Sequence, residues 1–148
     1  MKRQRPRRLK VAAIDSPKRE RQRPCSEIVI KTIGEPSDFT PEKQLDWLFQ
    51  CLGFENDDVI AREILKELIK NSDRGIRSAE ISAKCNVTQG AVVYHLNAFM
   101  RSGLVVKQGR YYHLKKPTLY ATLSDLEEEV LRHFEKMRRL ARILDEIF

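Results

Sequence analysis

The sequence predicts a mainly α-helical fold that carries one small β-hairpin and ends in a long helix. Three observations predict it. Apolar residues recur at helical spacing in several segments between Thr40 and Arg101, each bounded by start and stop signals. The runs Leu104-Val105-Val106 and Tyr111-Tyr112-His113-Leu114 flank a Gln108-Gly109 turn. From Leu123 to Ile147 a stripe of apolar residues at three–four spacing continues to the C-terminus.

The charge is unevenly placed. The chain has 148 residues and a net charge of +7. Met1–Pro24 holds ten Lys/Arg against Asp15 and Glu20, leaving 18 basic and 19 acidic residues after Pro24. With little to bury, residues 1–36 are expected to form a disordered basic tail, an electrostatic arm suited to nucleic acid. Cys25, Cys51 and Cys85 lie far apart with no CxxC spacing, which argues against a zinc site and suits a reducing compartment. No apolar run approaches the roughly 20 residues a membrane span needs, and no apolar stretch follows the basic start as in a secretory signal. The expected location is cytoplasmic, associated with the nucleoid.

Ser26–Ile33 is β-branched enough for a short strand. Thr40-Pro41-Glu42 starts the first helix, with Leu45, Leu48, Phe49 and Leu52 on one face and Trp47 off it, free to cover a neighbouring element or a partner. Asn56-Asp57-Asp58 offers caps for a second helix burying Ile60, Ile64, Leu65, Leu68 and Ile69, stopped by Asn71–Gly75. Ser78 caps a short third helix burying Ile81 and Cys85. Asn86-Val87 turns, and Thr88 caps a fourth helix to Arg101, ended by Ser102-Gly103. The last helix is expected to begin at Ser124, where Ser124 and Glu127 form a capping box.

Helix, helix, short turn, helix and two-stranded ribbon is the order of a winged helix-turn-helix, here from Gly75 to Leu114. In that architecture a bracing helix lays a second helix into the DNA major groove while the ribbon meets the adjacent backbone. Charge agrees: Arg77, Lys84, Arg101, Lys107, Arg110, Lys115 and Lys116 face one acid, Glu80, between Gly75 and Lys116. The stretch NVTQGAVVYHLNAFMRSGLV with the hairpin ending YYHL resembles the ArsR-like transcriptional regulators, especially prokaryotic, archaeal-looking members with Tyr-His-Leu in the recognition helix. The resemblance covers about Asp57–Leu114. It implies that Thr88, Gln89, Gly90, Val93, Tyr94 and Asn97 face DNA, that Val87, Val92, Leu96 and Phe99 face the core, and that Arg110 meets a phosphate from the wing, Leu104–Leu114. Arg77, Ser78, His95, Arg101 and Lys107 complete the expected interface, His95 as a packing and backbone-contact residue.

Where many ArsR-like relatives have Ser-Arg, this chain has Val93-Tyr94, so the groove-facing helix has few charges and would also suit a protein partner. Their paired sensing cysteines are absent, and His133 has no second His nearby. No metal and no cofactor is therefore expected. The C-terminal stripe, Leu123, Leu126, Val130, Phe134, Met137, Leu140, Leu144 and Ile147, suits either a helix completing its own core or a homodimer seam, and dimerisation is favoured. The expected division is tail 1–36, winged helix-turn-helix 37–118 and C-terminal helix 119–148.

Catalysis is not expected, because no phosphate-cradling glycine loop, nucleophile with base or clustered acids can be read. The expected function is a DNA-binding transcriptional regulator whose partners are double-stranded DNA, a second copy and the transcription machinery, with no membrane. Two alternatives stand. One is a winged-helix component of transcription or chromatin machinery without sequence preference. The other is an RNA- or ribosome-associated protein driven by the Arg-rich tail.

Overall fold

The structure is a computed structural model and describes residues 26–55 and 58–148. The basic segment Met1–Pro24, with its expected disorder, and the caps Asn56 and Asp57 lie outside the described residues. Five helices and three short strands follow among the described residues: α1 Pro41–Cys51, α2 Val59–Lys70, β1 Ile76–Arg77, α3 Ser78–Cys85, α4 Gln89–Arg101, β2 Val105–Gln108, β3 Tyr111–Leu114 and α5 Leu119–Ile147.

Local chemistry explains most boundaries. Pro41 opens α1 behind an extended Thr40, whose N–H is bound by Asp38 Oδ1 at 3.0 Å. Asp58 caps α2 by accepting the Ala61 N–H at 3.0 Å. The two residues that open α2, Val59 and Ile60, stay exposed, so the buried face begins at Ala61 and not, as expected, at Ile60. The cap of α3 is Arg77, and Ser78 is already helical. Asn86 turns the chain between α3 and α4 with φ 53°, a left-handed conformation that Asn tolerates.

The hairpin turn lies one residue further along than expected. Gln108 pairs with Tyr111, so the turn is Gly109-Arg110, with Gly109 at φ 62°. The two-residue strand β1 went unpredicted. It pairs antiparallel with β3, giving a sheet of order β1-β3-β2. Gly75 precedes it at φ 79°, with the His113 ring where a Cβ would stand.

The core gathers Phe49 from α1, Ile64, Leu65 and Leu68 from α2, Ile81 from α3, and Val92, Leu96 and Phe99 from α4, closed by Ile76, Leu104 and Leu114. Phe54 fills the seam between Phe49 and Phe99, with ring centroids 4.7 and 5.1 Å away.

Ser26–Ile33 is not a strand. Its backbone binds helix ends: the Glu27 N–H donates to Arg101 O and the Lys31 N–H to Cys51 O, both at 2.7 Å. These carbonyls end α4 and α1 and lack intrahelical donors, so the segment satisfies them in place of a neighbouring strand. Trp47 covers this segment, its Nε1–H donating to Gly34 O at 3.1 Å.

The last helix starts earlier than its capping box suggested. Thr118 caps it, accepting the Ala121 N–H at 3.0 Å, while Ser124 Oγ donates to Tyr120 O inside the helix. Burial of Thr122 and packing of Leu119 and Leu123 on the core draw the preceding turn into the helix. Leu126 is likewise buried in its own core, against Gly103, and Leu123 is half-buried, which corrects their expected place in a dimer seam. Lys115 fixes the junction: its ammonium lies 2.8 Å from Asp125 and 3.5 Å from Glu129. Every residue from Leu131 to Phe148 is exposed.

Candidate nucleic-acid interface

The helix-turn-helix is set by which residues α4 buries. Val92, Leu96 and Phe99 are fully buried, which leaves Gln89, Gly90, Tyr94 and Asn97 on the outer face with Val93 half-buried. Thr88 caps the helix, its Oγ1 accepting the Ala91 N–H at 3.2 Å. Gln89 Nε2 donates to Ser78 Oγ at 3.0 Å, tying the start of α4 to the start of α3. Tyr94 is 69% exposed, a large amphipathic side chain directed at solvent. Gly90 has nothing within 4 Å of where a Cβ would be, so the backbone of the first turn is open to close approach.

The wing stands beside this helix start. Between them lies a groove of 290 Å³, lined by Arg77, Ser78, Gln89, Lys107, Arg110 and Tyr112 with Ala79 and Gly109. The structure thus brings together five of the expected residues, from β1, α3, α4 and the hairpin. Two Tyr side chains went unanticipated here: Tyr112 at the groove, and Tyr111, 43% exposed beside the turn. Their signal was the aromatic pair next to the hairpin turn.

The basic residues divide sharply. Arg77 donates to Glu80 at 2.8 Å, which holds the Glu80 carboxyl below its ordinary pKa and raises that of Arg77. Lys84 pairs with Glu67 at 3.4 Å, and Lys116 with Asp125 at 3.8 Å. Lys115 is held as described. Arg101, Lys107 and Arg110 have no ion-pair partner among the described residues. Lys107 lies over the Tyr112 ring, 5.4 Å from its centroid. The expectation of a seven-charge phosphate face is corrected accordingly, because Glu67, Asp125 and Glu129 reach in from α2 and α5, outside the counted window.

His95 packs, as expected, but away from the groove. Its side chain is 15% exposed and its Nδ1 lies 3.5 Å from Asp58, so it joins α4 to the cap of α2 and does not face the groove. Arg101 sits at the far end of α4, about 18 Å of helix from Gln89. Among the described residues no three His, Cys, Asp or Glu gather into a metal-holding group, and no helix is long and apolar enough to cross a membrane.

Residues 57–106, about a third of the chain, match the family model for winged helix-turn-helix DNA-binding domains. No curated protein and no solved structure matches the chain. A bracing α3, an outward-facing α4 and a hairpin wing, over the residues that match that model, give this part of the chain a winged helix-turn-helix fold similar to that of the DNA-binding domains the model describes.

Proposed function

We propose that the protein is a transcriptional regulator that reads double-stranded DNA, with α4 in the major groove and the wing on the neighbouring backbone, in the manner of the ArsR-like proteins its sequence resembles. The groove between the start of α4 and the hairpin carries this reading, because it sets two unpaired cations, Lys107 and Arg110, beside the Gln89 amide, with Asn97 further along the outer face of the same helix. Lys107 and Arg110 take phosphates. Gln89 and Asn97 read base edges, adenine above all, and Tyr94 and Val93 contact a thymine methyl or a sugar. Thr88 and Gly90 let the helix end approach the backbone closely. The functional domain is residues 37–118, the basic tail adds affinity, and the exposed part of α5 joins two copies.

Selection from a random duplex library at about 150 mM salt tests this, with phosphate contacts already weakened by salt. The wild-type chain is expected to enrich one motif. Lys107→Ala/Arg110→Ala is expected to bind that motif about tenfold more weakly, and Gln89→Ala/Asn97→Ala to lose preference at the bases they read, about 1–3 kcal/mol for each good contact. An unenriched library, with binding indifferent to both double variants, overturns the proposal. The uncharged outer face of α4 would then favour a second reading, a docking surface for a protein of the transcription machinery.

A further inference from the structure

Ser78 is the first residue of α3 and Gln89 the first of α4, and both line the groove beside the wing. The Gln89 Nε2–H donates to Ser78 Oγ at 3.0 Å, joining two residues eleven apart in the chain. Ser78 is half-buried and Gln89 exposed, so the bond has one end fixed in the fold and the other facing outward. Neighbouring side chains are engaged elsewhere. Arg77 donates to Glu80 at 2.8 Å, Lys107 lies over the Tyr112 ring, and Thr88 Oγ1 accepts the Ala91 N–H. Gly90 keeps the backbone next to Gln89 open to close approach.

A carboxamide has one carbonyl and two N–H groups. With one N–H held by Ser78, the edge left for a base is the carbonyl oxygen beside a single N–H. In the major groove adenine offers the matching pair, the N6 amino donor and the N7 acceptor. Guanine offers two acceptors, N7 and O6, and asks for two donors. A glutamine without the tether can turn over and present both N–H groups to guanine, so it separates the two purines poorly. The tether also orders a long, flexible side chain before DNA arrives, and ordering already done in the free protein does not subtract from binding.

We infer that Ser78 is a positioning residue for base readout, its hydroxyl holding the Gln89 amide so that Oε1 accepts from adenine N6 and the second N–H donates to N7. The role rests on the major-groove placement of α4 proposed above, and it sets adenine over guanine at the base pair facing the start of that helix. It differs from the phosphate contact that a hydroxyl in this position would otherwise make.

Titrations of the full chain test it, on the duplex enriched from the library and on a copy with one adenine replaced by guanine. The position changed is the one at which Gln89→Ala loses its preference. Wild type is expected to favour adenine there about tenfold, and Ser78→Ala about twofold, with binding to unrelated duplex unchanged. Ser78→Thr keeps the hydroxyl and is expected to restore the preference, and melting curves for each variant separate a lost contact from a lost fold. Uniformly weaker binding of Ser78→Ala to every duplex makes Ser78 a phosphate contact and overturns the assignment. An undiminished preference in Ser78→Ala overturns it too, leaving the bond a tie between helices. So does guanine as the preferred base, or a motif at which Gln89→Ala loses nothing. In all these cases the enriched motif leaves major-groove reading standing, whereas a wild-type chain that enriches no motif overturns both.

Discussion

Gly90 and Gly75 show how two glycines of one domain answer to different demands. Gly90 has open space around its missing Cβ, so the free protein has no steric need of it. Gly90→Ala is expected to raise stability by about 0.5 kcal/mol, from helix propensity, while weakening duplex binding, and paired thermal melts and binding titrations separate the two effects. At Gly75 the backbone is left-handed and an added Cβ would lie 2.4 Å from the His113 ring. Gly75→Ala is expected to cost about 2 kcal/mol, seen as a lowered denaturant midpoint without a changed slope. Sequence reasoning read both positions only in part. It placed Gly90 in the interface through the family resemblance, and it took Gly75 as a helix stop without seeing that β1 begins there. A two-residue strand has no periodicity to detect, and its partner lies 36 residues along, Ile76 against Tyr112.

Helices were the legible elements, and their ends and joints were not. Asp58 and Thr88 bond as caps to the residues their positions imply, because capping is local chemistry. Ser124 looks like a cap by the same rules, yet burial of Thr122 and Leu126 carries the helix back to Leu119. The joint between β3 and α5 is held by Lys115 and Asp125, and pH acts on it. The hydrogen bond from Lys115 sets the Asp125 carboxyl below its ordinary pKa, and the same bond raises that of Lys115. The Asp125 contribution to stability is thus complete above the unfolded carboxylate value of about 3.9 and lost as pH falls through the lower folded value. The Lys115 contribution is complete below about 10.4 and lost as pH rises through its raised value. Asp125→Asn is expected to cost about 0.5–1 kcal/mol near neutrality and to flatten the acid limb of a stability-against-pH profile. An acid limb unchanged in the variant would show that the pair does not fasten the joint.

For the molecule as a whole, the decisive quantity is how many positive charges are free. Counting residues along the chain suggested seven between Gly75 and Lys116; Arg77 pairs with Glu80 inside that window, and the fold assigns Lys84, Lys115 and Lys116 to acids outside it. Tertiary neutralisation of this kind is invisible to a sequence window. Its consequence is measurable as the slope of log affinity against log salt. Lys107→Ala and Arg110→Ala are each expected to reduce that slope by about 0.9, and Lys84→Ala to leave it unchanged. The short joint between the wing and α5 has a further consequence. Only residues 115–118 separate β3 from α5, and the Lys116 N–H bond to Thr122 Oγ1 at 3.1 Å stiffens that passage. In a paired molecule the joint acts as a caliper, translating the length of the arms into a fixed distance and rotational phase between two reading heads. Such an instrument counts base pairs. Five extra pairs between two half-sites turn the second site about half a turn around the duplex, out of reach of a head that cannot swivel to follow it.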